Sequence, residues 1–373
     1  MDKIMPTPNV KINFTDSSRE RKPFVRITDV SPRDGLQNEN TLIPTAAKLM
    51  LISLLAATGV DEIEATSFVS PKWIPQLGDA EKLLSLISAE RSIAQRLSAP
   101  ASKPYPLLSA LVPNDKGMQS LITANANAAA NAAANAANSS AMVSVASHTP
   151  LISKASVFTA ASESFAKKNT NATVAETIER FKPVVLAAKD HSLQVRGYIS
   201  CVIACPFEGA ISPSAVADVC IRLLDIGVDE LDLGDTIGAA TPTTTRNLLA
   251  HLQSISRIAL CFTPGNVPIT LHFHDTFNQA AACINVALDM GVRSFDGSVA
   301  GLGGCPYAST RNPDGSTTRA PGNIATDLLV RTILDAGYTT NVNLVALEAA
   351  ANYARSLTQL GNTQGNPHGN SHA

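Results

Sequence analysis

The chain changes hydropathic rhythm at regular intervals. From Val25 onward, short runs of apolar and β-branched residues alternate with longer stretches whose apolar positions recur at helical spacing. The short runs predict strands over Val25–Val30, Glu62–Thr66, Pro106–Val112, Ala141–Ala146, Val195–Ile203, Glu230–Leu233, Ile269–Phe273 and Arg293–Asp296. The longer stretches predict helices over Thr45–Ala57, Ala80–Leu97, Val174–Lys189, Ser214–Ile226, Thr244–Ser256 and Gln279–Met290, with a last one over Val342–Leu360. Eight strands alternating with helices over roughly 300 residues fit a (β/α)8 TIM barrel with additional C-terminal helices. A doubly wound open sheet is the alternative, but no GxGxxG follows the first strand.

Four segments break the rhythm. Residues 1–24 read as a disordered arm, residues 25–360 as the catalytic barrel, and residues 361–373 as a disordered tail. Inside the barrel, Ala124–Asn138 is a low-complexity Ala/Asn tract. Alanine continues a helix and asparagine weakens it, which predicts a frayed helix and loop. Ser309–Pro321 is rich in turn formers and predicts a surface loop.

Composition narrows the classes. A net charge of −2 over 373 residues points to neither nucleic acid nor a membrane surface. No apolar run reaches membrane-spanning length. The six scattered cysteines suggest reduced intracellular thiols and no structural zinc site. The N-terminus resembles neither a secretory signal nor a transit peptide, so the cytosol is the default compartment, with the mitochondrial matrix as alternative.

In a TIM barrel, side chains at the C-terminal strand ends build the active site. His272 and His274 stand two apart near a strand end, so both imidazoles face one side and can chelate a divalent ion. The plain alternative is a pair of hydrogen-bonded strand histidines. Asp34 offers a hard-cation ligand after the first strand, and neighbouring Arg33 can hold a developing enolate or thioester oxygen; a surface ion pair would look the same. Glu64 ends an apolar strand and needs a cationic partner or a substrate there, and Arg196 poses the same problem with opposite charge. Asp235 can hold a neighbouring ligand or cap a helix. Cys305 sits in a glycine-rich loop, where a thiol can shuttle a proton; elsewhere it would be an inert small apolar group.

The strings SPRDGLQNE, IEATSFVSPKWIPQLGD, ASESFAKKN, RGYISCVIACPFEG, LGDTIGAATP, LHFHDTFNQA and GLGGCPYA together resemble the 3-hydroxy-3-methylglutaryl-CoA (HMG-CoA) lyase family over Val25 to Leu360. The resemblance implies Mg2+ or Mn2+ on Asp34, His272, His274 and Asn323, the last singled out only by the resemblance. It matches the family's catalytic arginine, cysteine and glutamate to Arg33, Cys305 and Glu64. It implies an acyl-CoA substrate, a homodimer, and retro-Claisen cleavage to acetoacetate and acetyl-CoA. His272 is the candidate base and Asp34 its rival, and Arg196 is a candidate substrate contact. Three departures stand out: an insertion around the Ala/Asn tract, a long link at Ser309–Pro321, and Asp327 where the family usually carries glutamate. Three other functions compete. A sister lyase would split citramalyl-CoA to pyruvate; a condensing acyltransferase would lack the cysteine loop; a pseudoenzyme would have lost a ligand.

Overall fold

The computed structural model describes residues 23–39, 41–97, 105–137, 149–263, 265–304, 310–311, 317–318 and 321–363. Eight parallel strands close a barrel: β1 Arg26–Asp29, β2 Glu62–Ser67, β3 Leu107–Leu111, β4 Lys154–Ala160, β5 Gln194–Ser200, β6 Glu230–Asp235, β7 Ile269–Phe273 and β8 Ser294–Gly297. Each strand pairs with its sequence neighbours, and β8 returns to β1 through Arg26↔Ser294 and Asp29↔Gly297. The expected TIM barrel is therefore present, and seven of its strands fall where the sequence placed them.

The fourth strand does not. It is Lys154–Ala160, while residues 141–146 lie outside the described residues. Lys154 and Ser156 are buried on this strand, so KASVFTA lacks the clean apolar signature that AMVSVA carries.

The helices are α1 Thr45–Ala56, α2 Ala80–Leu97, α3 Asp115–Ala137, α4 Glu163–Thr170, α5 Val174–Asp190, α6 Pro213–Ile226, α7 Pro242–Gln253, the single turn α8 Ser256–Ala259, α9 Ala280–Asp289, α10 Thr326–Asp335 and α11 Leu344–Thr363. Local chemistry sets several starts. Thr173 and Glu176 form a capping box on α5, Thr241 and Thr244 another on α7, and Ser212 caps α6.

The Ala/Asn tract is ordered helix in α3 rather than frayed. Ala124 and Ala128 are buried, and Ser88 of α2 donates to the Ala128 carbonyl at 3.0 Å. Asn125 pairs with the Ile152 backbone in both directions, at 3.0 and 2.9 Å, so one asparagine acts as a strand edge leading into β4. Within Ser309–Pro321, Thr310–Arg311 pairs antiparallel with Thr317–Thr318. Phe24 bridges Thr339, and α11 continues to Thr363.

The barrel interior is polar. Lys154 Nζ contacts Glu62 and Glu230, each at 2.5 Å, and Arg196 lies 2.8 Å from Glu230. Removing one partner of such a buried pair strands the opposite charge. Lys154→Ala should cost about 3–5 kcal/mol in urea unfolding. A loss below about 1 kcal/mol would show that the network does not hold the barrel.

Asp29, on the outer face of β1, ties the barrel to the turn after it. It accepts from Ser31 N at 3.0 Å, Ser31 Oγ at 2.5 Å and Thr326 Oγ1 at 2.7 Å. Burial nonetheless outweighs these bonds and pushes its pKa up to about 6. The folded chain therefore holds a proton between pH 4 and 6 that the unfolded chain releases. The associated stability is full below about pH 4 and is lost as pH rises through 6. That loss is about 3 kcal/mol. Urea unfolding across this range should show the extra decline in the native chain and not in Asp29→Asn.

Candidate active site

Strand periodicity builds the site in tiers. On the inward face, Glu62, Arg196, Glu230, Thr270 and Ser294 are followed two residues later by Glu64, Tyr198, Asp232, His272 and Asp296. Another step along β7 reaches His274. Each step moves toward the C-terminal mouth, where a cavity of about 470 Å³ opens. This volume lies within the range of small-molecule sites. Its polar wall includes Arg33, Asp34, Tyr198, Thr236, His272 and His274, and its apolar wall includes Leu111, Phe158 and Phe165.

Arg33 and Asp34 reach the mouth because β1 ends in a wide π-helical turn, Ser31–Gly35, whose amides converge on the Val30 carbonyl. Arg33 is almost fully buried. Its Nε donates to Glu64 Oε2 at 2.5 Å, its Nη1 to Asp34 Oδ1 at 2.6 Å, and its guanidinium stands 5.4 Å from the Tyr198 ring centre. Glu64 thus has its cation, and Arg33 is held in one orientation as a permanent charge. Burial opposes that charge, but Glu64 and Asp34 raise the guanidinium pKa above its usual value.

Asp34, His272 and His274 bring ligand atoms within 4.8 Å of one another. Burial works against ionisation of Asp34, yet Arg33 and the two histidines, with an Asn323 hydrogen bond, hold its pKa down at about 2. Burial and the neighbouring His272 lower His274 to about 4, which keeps it a neutral donor. Burial disfavours protonation of His272, but its hydrogen bond to Asp296 and that charge raise its pKa. Asn323 Nδ2 donates to Asp34 Oδ2 at 2.7 Å and to the Leu302 carbonyl at 2.9 Å. The other buried atoms here, Asn323 Oδ1 and His274 Nδ1, have no hydrogen-bond partner. Two unpaired acceptors beside a carboxylate and a second imidazole form a donor set suited to a divalent cation.

The remaining sequence candidates fall elsewhere. Asp235 is buried and accepts from the backbone amides of Ala239 and Ala240 at 3.0 and 2.9 Å, with its pKa raised to about 6 by burial. It holds the loop before α7 and does not line the cavity. Arg196 lies beneath the cavity, fully buried among Glu62, Glu230, Asp232 and Asp296. The structure gives it no face toward a ligand. Cys305 lies outside the described residues. Gly304 before it lines the cavity, and its carbonyl accepts from Asn38 Nδ2 at 3.2 Å. Gly303 needs its missing side chain: at φ +96°, a Cβ there would come within 2.6 Å of Asn323 Nδ2.

Two residues escaped sequence reasoning. Tyr198 lines the cavity and donates to Glu64 Oε2 at 3.2 Å. Asp296 lies 3.2 Å from His272 Nδ1 and pairs with Arg196 at 3.1 Å. Period-two spacing from Arg196 would have found Tyr198. Asp296 reads as a strand-end turn residue in FDG, and nothing local links it to His272.

The HMGL-like family model matches residues 24–353. A mitochondrial hydroxymethylglutaryl-CoA lyase from Arabidopsis thaliana is 39% identical over 330 residues, 88% of this chain. The match spans 58% of that longer relative. Among solved structures, the HMG-CoA lyase from Brucella melitensis is 37% identical, with a TM-score of 0.71 over 91% of this chain and 100% of that one. An HMG-CoA lyase from Acinetobacter baumannii, in complex with coenzyme A and 3-methylmalate, is 29% identical, with a TM-score of 0.70 over 94% of this chain and 97% of that one. A match over nearly the whole barrel, joined to the convergence of Asp34, His272 and His274 at its mouth, places the chain in the HMGL-like family.

Proposed function

We propose that the chain is an HMG-CoA lyase, cleaving 3-hydroxy-3-methylglutaryl-CoA to acetoacetate and acetyl-CoA. One observation carries this reading: a buried, fixed arginine stands beside a divalent-cation donor set in a cavity large enough for an acyl thioester. The relatives' names supply the substrate, and the coenzyme A of the Acinetobacter complex supports an acyl-CoA.

Asp34, His272, His274 and Asn323 would hold the cation; the oxygens of Asp34 and Asn323 suit a hard ion, and the resemblance makes that ion Mg2+ or Mn2+. When bound, such an ion acidifies a coordinated hydroxyl and fixes its orientation. The chain's own groups do the rest. Loss of the tertiary hydroxyl proton turns that oxygen into a carbonyl as the C–C bond breaks, and the electron pair moves into the thioester enolate. Arg33, locked by Glu64, offers N–H donors to that enolate oxygen without reorganising. Asp296 engages His272 Nδ1, so only Nε2 is available to the cavity. His272 can therefore ligate or accept the hydroxyl proton, but not both at once. Asp34, with its depressed pKa, is the weaker base. Resemblance gives Cys305 the protonation of the enolate carbon.

Purified chain with Mg2+ and a thiol reductant should release acetoacetate and acetyl-CoA from HMG-CoA, and EDTA should abolish the reaction. Pyruvate from citramalyl-CoA, with no acetoacetate from HMG-CoA, would move the substrate to the sister lyase. Arg33→Gln should lower kcat by about 100- to 1,000-fold, the usual cost of one lost oxyanion donor. A loss under about tenfold would remove Arg33 from the oxyanion role.

A further inference from the structure

Trp73 is the chain's single tryptophan, and it is 76% exposed. It sits in the loop after β2, at the rim of the cavity described above. A large apolar side chain in water is ordinary on a mobile loop, but this loop is anchored from below. Gln76, 4% exposed, accepts from Ile43 N at 2.9 Å and donates to the Thr41 carbonyl at 2.9 Å. The buried Lys48 ammonium donates to the Gln76 carbonyl and to Asp79 Oδ1, the latter at 2.7 Å. Trp73 N closes the turn onto the Ser70 carbonyl at 2.9 Å. A buried cation and a buried amide thus fix a turn whose tip presents an indole to solvent.

Two cations accompany that indole. Lys72, next to it, is exposed and makes no ion pair among the described residues. Arg180 lines the same cavity from α5, where its guanidinium donates to the Thr170 carbonyl at 3.3 Å and has Glu176 of the same helix as its carboxylate neighbour. The carboxylate of the lining, Asp34, is already paired with Arg33. An exposed indole on an anchored turn, with one cation next to it in the chain and another in the same cavity lining, is complementary to a purine that carries phosphates.

We propose that Trp73 is the stacking platform for the adenine of the acyl-CoA, with Lys72 and Arg180 facing its phosphates. This rests on the acyl-CoA reading, but its test needs no turnover. The indole emission of the full chain, excited at the red edge of its absorption, would be titrated with coenzyme A, adenosine 3′,5′-bisphosphate and pantetheine, with binding followed in parallel by calorimetry. Coenzyme A and the bisphosphate should quench the emission saturably, and pantetheine should leave it unchanged. Trp73→Ala should weaken coenzyme A binding about tenfold and Trp73→Phe much less, within the span of base–aromatic stacking. With HMG-CoA as substrate, the loss should fall on KM and not on kcat.

Coenzyme A that binds calorimetrically with a silent indole would overturn the platform and leave the lyase reading standing. Quenching without cleavage of HMG-CoA would keep the platform and sink the substrate assignment instead. Emission that follows protein concentration and ignores coenzyme A would overturn the platform by assigning Trp73 to a contact between copies of the chain.

Discussion

The whole structure depends on a column of buried charge down the barrel axis. Arg196 is fully buried and lies within 3.3 Å of Glu62, Glu230, Asp232 and Asp296. An ordinary barrel fills this volume with branched aliphatic side chains. Here the volume holds ions that repay their desolvation only if every partner is in register. The column balances partly by protonation. Burial and the facing Asp296 raise Asp232 well above the usual carboxylate range, whereas Arg196 and His272 overcome the burial of Asp296 and hold it down. One carboxyl of the pair keeps its proton so the other can stay ionised.

That arrangement reaches the mouth through Asp296. It faces His272 Nδ1 at 3.2 Å, so the ring turns its other nitrogen toward the cavity. Orientation of a ligating imidazole by a carboxylate behind it is a common support for metal sites. On the other side of the site, Glu64 and Tyr198 do the same for Arg33. His272 and Arg33 are thus both held by the strand tier that carries Glu64, Tyr198 and Asp296. The supports of Arg33 and His272 belong to the barrel strands, and that of Asp34 includes Asn323 from the loop before α10.

The rest of the cavity wall is built from different material. The cavity's far side is formed by the segments after β2, β3 and β4, together with α4 and α5. These are the regions where a shared barrel can vary its ligand without disturbing its chemistry. The Ala/Asn tract, away from the cavity, shows how the barrel's outer layer absorbs an unusual sequence: its alanines pack on α2, and Asn125 substitutes for a backbone group.

Alternating hydropathy alone determined the class of fold and most of its strands, because an α/β barrel must write period two and period 3.6 in turn. Local motifs also marked Arg33, Asp34, His272 and His274, since chemistry at a strand end leaves polar residues where apolar ones are expected. Only the tertiary structure decided what those groups do to one another. β4 was misplaced because its inward Lys154 is stabilised by carboxylates on other strands, which no local pattern reveals. Arg196 and Asp235 looked like site residues from their type and position. In the fold, one is consumed by four carboxylates beneath the cavity and the other by two backbone amides. Asp296 carried no local signal, and its role exists only because β7 and β8 set it beside His272. Sequence records which groups are available; closing the barrel determines which of them meet in a low dielectric, and there the pairing decides the chemistry.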